Sequence, residues 1–265
     1  MQNTLQFKQP SAALQTTNYE FVQVGNCDLY WGDCFDVMPT LPDKSVDAII
    51  CDLPYGTTAC KWDNILPFDK LWEQYERIIK PNGSIVLFGS QPFTSALIMS
   101  NPKLFKYEWI WKKSRPANFM NAKFQAMKIH ENIIVFGLGK TKYNPIKELG
   151  NKNHATKPRN SFKESIYNKR QPIRHPDTNE LKYPKSIIEV KSSNNIKNEH
   201  PTQKPVALIE YLIKTYTNEG DTVLDNCMGS GTTGVACENT NRRFIGIEKE
   251  RNYFDISVNR IVNNT

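Results

Sequence analysis

No apolar run in this chain approaches the roughly 18 residues that a membrane-spanning helix needs. The start, Met1 to Gln23, is polar and lacks a hydrophobic stretch of signal-peptide type. Six cysteines, Cys27, Cys34, Cys51, Cys60, Cys227 and Cys237, form no Cys-x-x-Cys pair, and no Cys/His cluster has zinc-ligand spacing. Several sit in apolar, strand-like runs, where a reduced buried thiol is expected. There is no internal repeat, and the Asn/Lys bias of the middle is too weak to make it low-complexity. These absences predict a cytoplasmic, metal-free protein.

What is present suffices for a sizeable core. With 265 residues, 39% of them hydrophobic and 23% charged, the chain has room for one large domain or a domain with an insertion. Its net charge of +7 is segregated. Between Leu138 and His200 there are 14 Lys/Arg against 6 Asp/Glu, and the remainder holds 20 against 21. A basic block of this kind predicts a polyanion partner, because Lys and Arg gain affinity by releasing phosphate counterions. A solvated, Lys-rich insertion is the alternative.

Residues 1–24 read as a loosely ordered tail. A β/α alternation then runs through candidate strands 28–32, 46–51, 84–89, 107–111 and 131–136, with 222–224 and 244–247 far downstream. Phe68, Leu71, Trp72, Tyr75, Ile78 and Ile79 recur at helical spacing and predict a helix over 68–80, stopped by Pro81-Asn82-Gly83. A second helix is expected over 205–216. The stretch 139–199 breaks the pattern and is too long for an ordinary loop. The expectation is therefore a core in two halves, 25–138 and 200–265, around a basic insertion. Its fold class is α/β, with a seven-stranded, mostly parallel sheet covered by helices on both faces.

Two segments carry chemistry. Asp52-Leu53-Pro54-Tyr55 follows the apolar run Val46–Cys51, at the sheet edge where open α/β folds bind ligands. An acid and a backbone carbonyl there suit both protons of an exocyclic amine, and the ring suits the base that carries it. The second, Thr222 to Gly234, is a short strand ending in Asp225, then Gly229-Ser230-Gly231 and a helix from about Thr232. A further strand ends at Glu248, whose carboxylate suits the hydroxyls of a ribose. The match to G-x-G-x-x-G is weak evidence by itself, and a P-loop lacks its Lys. Only 17 residues follow Glu248, too few for the substrate half of a nicotinamide enzyme. S-adenosylmethionine is the better ligand. His200-Pro201-Thr202-Gln203-Lys204-Pro205, entering the next helix, reads as a carboxylate receptor or as a plain helix cap.

These pieces, in this order, resemble the amino-group DNA methyltransferases of the permuted beta subclass, which make N6-methyladenine or N4-methylcytosine. The likeness rests on Trp31-Gly32-Asp33-Cys34, the tetrapeptide with Gly56, Lys80 to Gly83, His200 to Pro205, Asp225 to Gly231 and Gly246-Ile247-Glu248. It covers about two-thirds of the chain. It implies a class I methyltransferase sheet, S-adenosylmethionine as cofactor, double-stranded DNA as partner, a target-recognition role for 139–199 and, often in this subclass, a homodimer. The resemblance also implies catalytic roles for Asp52, Leu53, Pro54 and Tyr55. The cofactor set is Asp33 near the adenine, Cys34, Asp52, His200, Thr202, Lys204, Asp225, Gly229, Ser230, Gly231, Thr232 and Glu248. Leu53 stands where the family usually has Pro, and Cys227 where it usually has Phe.

An acid at the first tetrapeptide position favours adenine-N6 over cytosine-N4. A C5-cytosine mechanism is excluded, since no Pro-Cys pair exists. An RNA or protein-amine methyltransferase, or a silent DNA-binding protein on the same core, remains as an alternative. Lys112, Lys113 and Arg115 are candidate phosphate contacts. Trp109 and Trp111 suit either the base pocket or the core, and His130-Glu131 reads as a structural pair. With no nuclease motif apparent, methylation without cleavage is expected.

Overall fold

The computed structural model describes residues 18–58, 60, 63–150, 181–191 and 203–264. Its order is β1 (Glu20–Val24), β2 (Cys27–Trp31), α1 (Cys34–Val37), β3 (Val46–Cys51), α2 (Phe68–Ile78), β4 (Ile79–Gly89), α3 (Phe93–Ser100), β5 (Phe105–Ala117), β6 (Lys128–Phe136), β7 (Glu148–Leu149), β8 (Leu181–Lys182), β9 (Ile187–Glu189), α4 (Val206–Tyr216), β10 (Thr222–Asp225), α5 (Thr232–Asn239), β11 (Arg243–Glu248) and α6 (Arg251–Val262). Among the described residues no helix is long and apolar enough to cross a membrane.

The main sheet runs β1-β2-β11-β10-β3-β4-β6-β5-β9. From β2 to β4 all neighbours are parallel, while β6 runs against both β4 and β5. All seven expected strands are present, and two more lie at the edges. One is a correction to the tail: Glu20–Val24 pairs antiparallel with β2 through a two-residue Gly25-Asn26 turn. The other, β9, lies within the expected insertion and pairs parallel with β5. The described residues of 145–185 belong to a unit separate from the rest of the chain, in which β7 and β8 pair antiparallel.

The apolar pattern explains the layering. All six residues of β3 are buried, as a strand covered on both faces requires. Ala48 and Ile50 pack into the core beneath α4, α5 and α6, and Ile49 and Cys51 into the core beneath α2 and α3. The two-residue period of the strand divides them. On α2, Leu71, Trp72, Tyr75 and Ile78 are buried, with Asp69 in the first turn and Arg77 in the last. Each charge opposes the partial charge of its helix end. This helix stops at Ile78, and Pro81-Asn82-Gly83 already belongs to β4.

β10 and β3 lie side by side at the centre, yet β10 leads outward to β11 and β3 outward to β4. This is the point where chain direction reverses, and a crevice opens there at the carboxyl ends of the strands. Gly231 holds the start of α5 at φ +77°, and a Cβ on it would come within 2.7 Å of Ser257 Cβ and 3.0 Å of Ser257 Cα. Gly231→Ala is therefore expected to destabilise the fold by about 2 kcal/mol or more. The denaturation midpoint should fall with an unchanged slope; an unchanged midpoint would show that α6 gives way freely.

Candidate active site

A cavity of about 300 Å³ sits at that crevice. It is lined by Asp52 to Tyr55 after β3, Asp225 to Ser230 after β10, Glu248 to Glu250 after β11, and Asp33 and Cys34 after β2. Glu131 of β6 and Gln203-Lys204 ahead of α4 complete its wall.

The tetrapeptide is held by its own side chains and by a clamp behind it. Tyr55 donates its hydroxyl to Asp52 Oδ1 at 2.7 Å, and the ring stacks on Phe93 at 4.9 Å. Behind the turn, buried Asp63 accepts the backbone N–H groups of Gly56, Thr57 and Thr58 at 2.7–2.9 Å. Burial opposes the Asp63 charge, but these hydrogen bonds outweigh it and hold the carboxyl below its usual range.

Lys204 is the central cation. Its Nζ bonds Asp52 Oδ2 and lies 3.4 Å from Glu131 Oε2. The faces of Phe88 and Tyr55 lie 5.1 and 6.0 Å from it. Burial disfavours the ammonium, yet Asp52 and Glu131 prevail and hold its pKa above the ordinary lysine value. Glu131 also pairs with Lys113, and the two lysines overcome burial to keep the carboxyl low.

The glycine-bearing loop is pinned at each step. Asp225 Oδ2 accepts Thr233 Oγ1 at 2.6 Å and its Oδ1 accepts Cys227 N at 3.1 Å. Tyr75 donates to Asn226 Oδ1 at 2.6 Å, and Arg260 of α6 donates to Ser230 O and Oγ. Glu248 accepts Gly229 N and Glu250 N, both at 2.8 Å, one on each oxygen. Each of those oxygens keeps a lone pair for a ligand hydroxyl. Burial pushes Asp225 up to about 6 and Glu248 up to about 7. Asp33 caps α1 through Phe35 N at 3.0 Å and meets Lys249 at 3.1 Å.

The sequence of residues 46–259 matches the N6/N4 amino-methylase family model, described as DNA methylase. The chain belongs to this family of amino-group DNA methylases. It is 28% identical over 249 residues to the Type II methyltransferase M.HpaI of Haemophilus parainfluenzae, covering 88% of this chain and 73% of that one. The crystal structure of an M1.HpyAVI–SAM complex superposes with a TM-score of 0.60 at 30% identity, over 89% of this chain and 98% of the other. The cytosine-N4-specific PvuII DNA methyltransferase, 17% identical, shares the fold with a TM-score of 0.63 over 91% and 94% of the two chains.

The methylase uses S-adenosylmethionine, and the lining suits it. Asp33, Asp225 and Glu248 face a cavity that would receive a cationic sulfonium and an ammonium. The expected residues Asp33, Cys34, Asp52 to Tyr55, Lys204, Asp225, Gly229, Ser230, Thr232 and Glu248 all line it. Gly231 instead caps α5 beside the loop. His200 and Thr202 lie outside the described residues.

The basic candidates divide. Lys112 pairs with Glu189 on the surface, whereas Lys113 turns inward to Glu131 and over the Trp111 ring. Arg115 is exposed on the outer part of β5. Trp109 and Trp111 are core residues, donating to Tyr216 Oη at 2.6 Å and Val190 O at 3.1 Å. Glu131 is not the simple structural pair that His130-Glu131 suggested, since it lines the cavity. Its one sequence signal was an acid two residues ahead of the apolar run Ile133 to Phe136. Asp63 carried no signal beyond its place eight residues after Tyr55.

Because Glu248 binds its proton more tightly folded than unfolded, its contribution to stability is full below about pH 4.5 and is lost as pH rises through about 7. The slope contributed is at most about 1.4 kcal/mol per pH unit. Glu248→Gln should remove that slope, so urea denaturation should show the variant gaining on the wild type between pH 5 and pH 8. A difference constant with pH would refute the raised pKa.

Proposed function

We propose that this methylase transfers a methyl group from S-adenosylmethionine to the N6 amino group of adenine in a base rotated out of duplex DNA. The observation that carries the reading is Asp52, a carboxylate at the cavity beside Tyr55 and Lys204.

S-adenosylmethionine supplies, when bound, a methyl group on a positively charged sulfur. The amine of adenine is a poor nucleophile because its lone pair is shared with the ring. Asp52 and the Leu53 carbonyl accept hydrogen bonds from its two N–H groups and favour a pyramidal nitrogen with the lone pair free. Tyr55 and Lys204 fix the Asp52 carboxylate, so little reorganisation remains for the moment of reaction. Leu53 serves as well as Pro, since only its carbonyl is used. Once the methyl is in place, the nitrogen sheds a proton, and Asp52 is the nearest acceptor proposed for it. The target cannot be reached inside a duplex, and contact with the ring of Tyr55, which lines the cavity, compensates part of the few kcal/mol needed to extrude it. Glu248 and Asp33 are proposed to hold the ribose and adenine of the cofactor, and the segment 139–199 to read the target sequence. Cytosine-N4 is the second reading, with the same chemistry on the same residues; the acid at position 52 favours adenine.

Labelled methyl transfer to unmethylated duplex DNA, followed by nucleoside analysis, tests this. The label is expected in N6-methyladenine, and Tyr55→Ala should lower the transfer rate by roughly 10-fold or more through loss of about 1–3 kcal/mol of stacking. Label in N4-methylcytosine would overturn the choice of base, and label in RNA or protein alone would overturn the substrate class.

A further inference from the structure

The outer half of the β5–β6 hairpin has an unusual surface. Every residue from Ser114 to Met127 is exposed. At its tip, Phe119, Met120 and Phe124 are 81%, 92% and 88% exposed. Large apolar side chains grouped this way in water mark an interaction surface.

The tip has a defined backbone. Asn118 takes a left-handed conformation at φ +63° and starts a tight turn over Phe119–Asn121. The carbonyl of Asn118 accepts Asn121 N at 3.0 Å, and that of Asn121 accepts Phe124 N at 2.9 Å and Gln125 N at 3.0 Å. Two successive turns thus bond the backbone of the tip to itself, and its apolar side chains are left outward.

Charge identifies the occupant. From Trp109 through His130 the chain has five Lys/Arg and no Asp/Glu. Arg115 and Lys123 are exposed on either side of the apolar tip. Two copies of such a hairpin would repel each other, whereas a polyanion would be drawn to it. An apolar tip flanked by cations suits a polyanion with an apolar interior, and for a chain of the DNA methylase family that polyanion is a stacked duplex.

Resting on the reading of the site as one that acts on duplex DNA, we infer that Phe119, Met120 and Phe124 form a wedge that enters the base stack. Arg115 and Lys123 hold the flanking phosphates. The wedge occupies space that a rotated base vacates and so stabilises the opened duplex, as inserted apolar side chains do in proteins that unstack DNA. The phosphate contacts position the hairpin and carry no part of the opening.

The test compares the full chain with its Phe119→Ala/Met120→Ala/Phe124→Ala variant. All three positions are too exposed for their loss to endanger the fold. Unmethylated phage duplex DNA is the methyl acceptor, and binding to a fluorescent fragment of it is followed over a salt series. The variant is expected to bind S-adenosylmethionine like the wild type and to transfer methyl groups at least 10-fold more slowly. Its dependence of log K on log salt should be unchanged, since no phosphate contact is lost. Arg115→Ala/Lys123→Ala should show the complementary pattern, with that slope lowered by about 2. Methyl transfer by the triple variant at the wild-type rate would overturn the wedge, as would a loss accompanied by a lowered slope. A dimer dispersed by the same substitutions, with methylation intact, would assign the tip to a second copy instead. If the wild type methylates no DNA, the proposed function itself fails and the wedge falls with it.

Discussion

One buried cation ties the active site together. Lys204 precedes α4, Asp52 follows β3 and Glu131 opens the buried part of β6, so three remote parts of the chain meet on one ammonium. A buried charge is tolerated only when paired, and removing one member of such a group leaves another uncompensated, typically at a cost of about 3–5 kcal/mol. Lys113 adds a second cation on the far side of Glu131. The cluster thus balances two carboxylates with two lysines, and it fixes Asp52 before any substrate arrives.

The sheet supplies what the cluster cannot. Apolar strands set the carboxyl ends of β3, β10, β11 and β2 side by side, and each is followed within two residues by a polar residue that faces the same crevice: Asp52, Asn226, Lys249 and Asp33. The surrounding turns are then tied down by side chains rather than by bulk. Asp63 gathers three backbone amides behind the tetrapeptide, Asp225 and Glu248 gather those of the glycine loop, and Arg260 reaches in from α6. The raised pKa values of Asp225 and Glu248 reflect this placement: their carboxylates serve backbone amides in a site dry enough to penalise charge.

Much of this was legible in the residues alone. The run Val46–Cys51 announced a strand covered on both faces, and the acid after it marked the chemistry. The glycines after Asp225 announced a tight turn into a helix, and the structure places that turn at Gly231. Edge strands were harder. β1 carries a Gly-Asn hairpin turn that argued against a loose tail, but five residues of mixed polarity gave it little contrast. β9 is three residues inside a polar stretch, and its pairing with β5 is a long-range choice that local pattern does not encode. Glu131, Asp63 and Lys113 were hidden for the same reason: a charged side chain announces its type, and only the fold decides which partner it meets. Lys113 looked like a phosphate contact and turned inward; Trp109 and Trp111, open to either reading, went to the core.

The account rests on Asp52 acting on the target amine rather than holding the cofactor. Affinity for S-adenosylmethionine and the single-turnover methyl-transfer rate, measured together on wild type and Asp52→Ala, separate the two roles directly. The variant is expected to lose stability, since Lys204 must share Glu131 with Lys113, but Lys204 stays partnered and the cofactor side of the cavity is expected to stay intact. The prediction is a transfer rate lower by at least about 100-fold, with the absence of a preorganised acceptor worth roughly 3 kcal/mol, and an affinity within a few-fold of wild type. A parallel collapse of cofactor affinity, or transfer that survives the substitution, would contradict it.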